Sequence, residues 1–276
     1  MTNRNNKDVK FEKKKRKETK MKENEPIGIF DSGIGGVTVL KEIIKILPNE
    51  NYIYYSDSKN NPYGDKSDKE IINLCDNIIK MMLEKNCKAI VIACNTASAK
   101  AAKFLRQKYK ELPIIAIEPA YKMVHDYSYD KPTLVMATKG TIESEKFNIL
   151  FKKYDNHKTY LYSCVGLADI IEKADNEEIS KYLETHIGEY KGKVKNVVLG
   201  CTHYPLIQEQ IDKVLGGNIQ FFNGAERLAV HLKDVLGEKG LLNKENNTEN
   251  CEDKIEFIDS QNLPEKEKRF FKNLEN

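Results

Sequence analysis

Short runs of β-branched and aromatic residues alternate along the chain with longer segments of helical periodicity, and this alternation limits the fold more than any other feature. The runs are Ile27 to Phe30, Tyr52 to Ser56, Ala89 to Ala93, Ile114 to Ile117, Thr133 to Ala137, Thr159 to Ser163, Val197 to Gly200 and Ile219 to Phe222. Between them, stretches such as Lys69 to Lys85 and Glu177 to Glu189 space Ile, Leu and Met by three and four residues, as helices covering a sheet do. Strand and helix in alternation predict an α/β protein with mainly parallel sheets. The polar segment Asn243 to Asp253 reads as a loop before a last strand at Lys254 to Ile258.

The pattern also repeats. Ala-Ile-Val-Ile-Ala-Cys94-Asn-Thr and Val-Val-Leu-Gly-Cys201-Thr-His are both buried strands running into cysteine and small polar residues, 107 positions apart. The same offset carries Ile-Phe-Asp31-Ser-Gly33 onto Met-Ala-Thr138-Lys-Gly140. Two motif pairs in one register predict a duplicated half. Each cysteine then stands at the carboxyl end of a strand where a helix starts, the place where open α/β sheets bind ligands. There, unpaired backbone N–H groups and the helix dipole favour thiolate over thiol. The expectation is two acid/base thiols facing one cleft.

Other chemistry is disfavoured. Asp31-Ser32-Gly33-Ile34-Gly35-Gly36 matches neither the dinucleotide fingerprint nor the P-loop, although its glycines allow the backbone to approach a small anion. Asp31 either caps the following helix or assists proton transfer and substrate binding. The five histidines are too dispersed for a metal site, so no metal is expected. Six cysteines without a C-x-x-C pair read as thiols. No apolar run approaches the roughly 18 residues that span a bilayer, and the N-terminus has no apolar signal core, which points to the cytoplasm. Residues 1 to 25 carry ten basic and five acidic side chains and almost nothing apolar, and are expected to be a disordered, solvated tail. A net charge of +3 over 276 residues gives no general reason to expect nucleic acid as a partner, leaving a tether role for the tail as the rival reading.

Five strings in order now carry a resemblance: Phe-Asp31-Ser32-Gly33-Ile-Gly35-Gly36, Asn-Pro62-Tyr63-Gly64-Asp-Lys-Ser, Ala-Cys94-Asn95-Thr96-Ala, Ala-Thr138-Lys-Gly140-Thr141 and Gly-Cys201-Thr202-His203-Tyr-Pro205. From about Ile27 to beyond Phe257 the chain resembles glutamate racemase of the aspartate/glutamate racemase superfamily. The resemblance implies two similar, pseudo-symmetric α/β domains, residues 26 to 118 plus 219 to 266 and residues 119 to 218, with the active site at their interface. It implies cofactor-independent conversion of L-glutamate to the D-glutamate of bacterial peptidoglycan, with Cys94 and Cys201 exchanging protons at opposite faces of the α-carbon. Asp31 and His203 match residues that assist these transfers, and Glu172 aligns with a further acid near the second cysteine. Ser32, Pro62, Tyr63, Gly64, Asn95, Thr96, Thr138, Thr141 and Thr202 match substrate-binding positions. A homodimer is implied as well. The chain departs from the family pattern at Val165 and Asp169, where proline is usual, and at Asn223-Gly224, where aspartate-serine is more frequent. Rival readings are a racemase of aspartate or another amino acid, or a regulatory binding protein, since some relatives restrain DNA gyrase.

Overall fold

The structure, a computed structural model, describes residues 21–244 and 252–275. The first half of the chain runs β1 (Ile27–Asp31), α1 (Val37–Ile46), β2 (Tyr52–Ser56), α2 (Asp68–Glu84), β3 (Ala89–Ile92), α3 (Asn95–Lys108) and β4 (Ile114–Ala116). The second half runs α4 (Tyr121–Ser128), β5 (Thr133–Ala137), α5 (Lys139–Ile142), α6 (Glu145–Tyr154), β6 (Thr159–Ser163), α7 (Leu167–Lys173), α8 (Asn176–Ile187), β7 (Asn196–Gly200), α9 (Gln208–Leu215) and β8 (Gln220–Phe222). The chain then returns to the first half with α10 (Ala225–Glu238), β9 (Ile255–Asp259) and α11 (Pro264–Glu275). No described helix is long and apolar enough to cross a membrane.

Two all-parallel sheets result, ordered β4-β3-β1-β2-β9 and β6-β5-β7-β8. Read from the opposite edge, the second order is β8-β7-β5-β6, which is the first order with every strand replaced by the one four further on. The repeat in the sequence is thus a repeat in topology, and β9 is the strand without a counterpart. Helices cover both faces of each sheet, which explains why the strands read as continuous apolar runs. On the first sheet, Ile27, Ile29 and Val91 pack under α1, α10 and α11, while Phe30, Ile90 and Ile92 pack under α2 and α3. On the second, Leu134, Val197 and Leu199 face α7, α8 and α9, and Val135 and Val198 face α4 and α6.

Two expectations change. Residue 219 was expected to begin the return to the first half, yet β8 pairs with β7 as the edge of the second sheet. The return comes only with α10, because β8 is the counterpart of β4 and completes the duplicated sheet. Of the expected disordered tail, residues 1–20 lie outside the described residues, but 21–25 form a turn on the first half. Met21 packs on the core, the Lys22 N–H donates to Glu25 Oε2 at 2.9 Å, and the Lys88 ammonium bonds the Glu23 carbonyl. Most of the expected loop Asn243 to Asp253 also falls outside the described residues.

Chain direction decides where a ligand can sit. In each sheet the crossovers diverge at the central strand, β1 or β5, leaving a crevice at the carboxyl ends of β1/β3 and of β5/β7. These are the ends that carry Asp31, Cys94, Thr138 and Cys201, and the two crevices face one another.

Candidate active site

A cavity of about 120 Å³ lies between the halves. This is small beside the roughly 300–1,000 Å³ pockets that take drug-sized ligands, so the site suits a small molecule rather than a nucleotide. From the first half Ser32, Pro62, Tyr63, Gly64, Cys94, Asn95 and Thr96 line it, and from the second Thr138, Cys201, Thr202 and His203. Each of these was expected from the sequence. Both cysteines are therefore on the wall of one cavity, contributed by equivalent strands of opposite halves. The five described cysteines are free thiols.

Cys94 is the N-cap residue of α3 and donates to Ser32 Oγ at 3.7 Å. The helix start does not win here as the dipole argument expected. Burial pushes this thiol well up, the nearby Asp31 carboxyl adds to that, and the Ala97 N–H offsets only part. The balance favours the thiol form of Cys94 over the thiolate. Cys201 differs locally too, since a turn and a 3₁₀ segment (Tyr204–Ile207) separate it from α9. Its neighbour is instead His203, whose Nδ1 lies 3.7 Å from Cys201 Sγ and whose Nε2 lies 2.7 Å from Glu172 Oε1. Burial alone would lower the His203 pKa, but the bonds to Cys201 and Glu172 lift it well above its ordinary value. Although burial opposes it, the hydrogen bond and charge of His203 hold Glu172 below the usual carboxylate range, with Lys266 assisting. One sulfur thus lies beside the His203 ring and the other beside the Ser32 hydroxyl, with the Asp31 charge nearby.

Asp31, Thr141 and Glu172 stand behind the cavity wall. Asp31 Oδ2 accepts from the Gly36 N–H at 2.9 Å and from Thr202 Oγ1 at 3.1 Å, so it serves as backbone anchor and as tie between the halves. Its other oxygen, buried, has no partner among the described residues, and burial raises its pKa. The hydroxyls of Thr96, Thr138 and Thr141 form a chain across the interface, with oxygens 2.8 and 2.9 Å apart. The glycine loop does approach an anion, but an internal one. The Ile34 N–H donates to Glu172 Oε1 at 2.7 Å, and a Cβ on Gly33 would stand 2.1 Å from that oxygen. Glu172 meets the second cysteine only through His203.

Sequence reasoning left out several wall residues. Asn61 of the first half donates from Nδ2 to Asp169 Oδ1 of the second at 2.8 Å, and both line the cavity. Asn61 and Lys139 both stood inside quoted motifs, whereas Asp169 registered only as a departure from the family pattern. Val165, the other departure, is 58% exposed at the cavity edge. At the third, Asn223 Oδ1 accepts the Ala225 N–H at 3.0 Å, and Gly224 lies so near the outgoing crossover that a Cβ would be 2.4 Å from the Glu118 carbonyl oxygen. The two connections between the halves touch there.

Comparison with known proteins agrees with this architecture. Residues 28–232 match the family model described as Asp/Glu/Hydantoin racemase. A glutamate racemase of Clostridium botulinum is 45% identical over 228 residues, 81% of this chain and 88% of that protein. One from Clostridium perfringens is 42% identical over 222 residues, covering 79% and 85% respectively. Among solved structures, glutamate racemase of Francisella tularensis in complex with D-glutamate superposes with a TM-score of 0.74 at 30% identity, covering 92% of this chain and 95% of that one. The isoform RacE1 of Bacillus anthracis gives 0.78 at 29% identity, with coverage of 92% and 95%. The chain therefore belongs to the Asp/Glu/hydantoin racemase family.

Proposed function

We propose that the protein racemises glutamate without a cofactor, Cys94 and Cys201 acting as paired acid and base on opposite faces of the substrate α-carbon. The observation that carries this reading is that both thiols, from equivalent strands of the two halves, open onto the same small cavity. In one direction a Cys201 thiolate beside the His203 imidazolium takes the α-proton while the Cys94 thiol delivers its own proton to the other face. The reverse direction exchanges the roles. An amino-acid α-proton is far less acidic than a thiol, so the developing negative charge needs fixed donors in a water-poor space. The hydroxyls of Ser32, Thr96 and Thr138 and the Asn95 amide are such groups, and with Thr202, whose proton is held by Asp31, they also suit the carboxylates and ammonium of the substrate. Glutamate as the substrate is supported by the named activity of the relatives and by the D-glutamate complex of the Francisella protein.

The same reading extends to supply of D-glutamate for peptidoglycan, in the cytoplasm and as a homodimer, on the strength of the family resemblance. The decisive assay is incubation with L-glutamate in D₂O, without pyridoxal phosphate or added metal. The expected product is D-glutamate labelled at the α-carbon, with nearly all turnover lost in Cys94→Ser and in Cys201→Ser, since acid/base help is worth about 10² to 10⁴ in rate. Near-normal turnover in either variant refutes the two-thiol assignment, and preferential turnover of L-aspartate refutes the substrate.

A further inference from the structure

The C-terminal unit β9–α11 has no counterpart in the second half, yet it reaches the catalytic wall there. Phe270 seats α11 on the first half, its ring buried 4.5 Å from Tyr54 and 4.6 Å from Phe257, centroid to centroid. From that seat the Arg269 guanidinium donates to the main-chain carbonyl oxygens of Ile171, at 2.9 Å, and of Glu172. These carbonyls belong to the last turn of α7, where a cation is favoured, and that of Ile171 also accepts the Ala174 N–H. Lys266 Nζ, one turn earlier on α11, lies 3.2 Å from Glu172 Oε2. The other carboxylate oxygen holds His203 and the Ile34 N–H. Glu172 is thus gripped at backbone and side chain by the same helix.

We propose that Lys266 and Arg269 are positioning residues, which clip the end of α7 to the first half and so hold the Glu172 carboxylate on His203, keeping the imidazole aimed at Cys201. This rests on the two-thiol reading of the site. Arg269 sets where α7 ends, and Lys266 keeps the carboxylate charged and turned away from solvent. Any separation of the halves on this side must break both contacts together with the Ile34 and Asn61 bonds, so the clip also links closure of the cavity to completion of the His203 network.

The groups that face the Glu172 carboxylate are His203, Lys266, Asp31, Asp169 and Tyr54, with Arg269 on its own carbonyl. Removing one cation from this set makes the carboxylate easier to protonate. Lys266→Met is therefore expected to move the acid limb of the kcat/KM profile to higher pH and to lower its plateau roughly tenfold, a loss within the usual range for neighbours in one charge network. Lys266→Arg restores both. Arg269→Met is expected to lower kcat with little change in KM, Arg269→Lys recovering part. The companion measurement is the NMR titration of the His203 imidazole, assigned by its loss in His203→Asn. It should shift in Lys266→Met without any substrate present.

A Lys266→Met profile superimposable on that of the wild type, with the His203 titration unmoved, overturns the proposal. So does a uniform loss at every pH that Lys266→Arg fails to rescue. If Arg269→Met does not fold, Lys266→Met decides, its side chain being at the edge of the cluster. Should the wild-type protein move no α-proton at all, the functional reading fails, while the His203 titration still decides the clip.

Discussion

Gly35→Ala is the substitution that best exposes how the wall behind the cavity is built. A Cβ placed on Gly35 would lie 2.5 Å from His203 Nδ1, with the ring carbons at 2.6 and 2.7 Å. Ordinary contact between such atoms is about 3.5 Å or more, so the ring and the loop must part by roughly 1 Å. The ring has nowhere free to go, because Nε2 is bound to Glu172 and Nδ1 faces Cys201. If the loop lifts instead, the Ile34 N–H leaves Glu172. Either movement breaks the path from Glu172 to the second thiol. A misplacement of about 1 Å in a reacting constellation costs on the order of 10²-fold in rate, roughly 2.7 kcal/mol of barrier. Overpacking adds about 1–3 kcal/mol of lost stability. The assay is the initial rate of glutamate racemisation followed by circular dichroism at saturating and limiting substrate, with Tm measured alongside. A folded Gly35→Ala protein whose kcat/KM stays within about threefold of wild type would refute the claim that this contact holds His203 in place.

Three further outcomes follow from the described contacts. The Glu172 pKa is held below its ordinary 4.5 by His203, so the pair's contribution to stability is present above that pH and lost as pH falls. The His203 pKa is raised above 6.5, so its contribution is present below that pH and lost as pH rises through the folded value. The gap in Tm between wild type and Glu172→Gln should therefore be widest between pH 4.5 and 6.5, and a gap independent of pH would contradict the ion pair. Lys88 and Glu50, 0% and 1% exposed, form a buried pair 2.5 Å apart. Lys88→Met strands the carboxylate and should cost about 3–5 kcal/mol in urea unfolding, while Lys88→Met/Glu50→Gln should cost clearly less; equal losses would show that the stranded charge is not the cause. Gly237 lies inside α10, and a Cβ there would stand 3.5 Å from Leu242 Cδ1, an ordinary contact. Gly237→Ala should then raise stability by up to about 1 kcal/mol through helix propensity and leave turnover alone, and a lower Tm would contradict that.

Local pattern carried a large share of this protein. The strands at Tyr52–Ser56, Thr133–Ala137 and Thr159–Ser163 have the same bounds in sequence and structure, because runs of β-branched and aromatic residues announce themselves by composition alone. The repeat at 107 positions already implied two matching sheets, and the polar residues placed at strand ends are those that line the cavity. Motif residues are legible in this way because each must be a particular type at a particular strand tip.

What the amino-acid order did not decide belongs to contacts between distant segments. That β8 completes the second sheet depends on its pairing with β7, and residues 21–25 are ordered by Lys88 and the core, not by their own composition. The balance between thiol and thiolate at Cys94 turned on burial outweighing a helix start, and burial exists only in the folded site. The joining of Glu172 to His203, and of Lys266 and Arg269 to Glu172, links residues 31 to 97 positions apart. Desolvation and charge pairing act through space, so a pattern read along the chain picks out the candidate reacting groups but not the environment that sets their protonation.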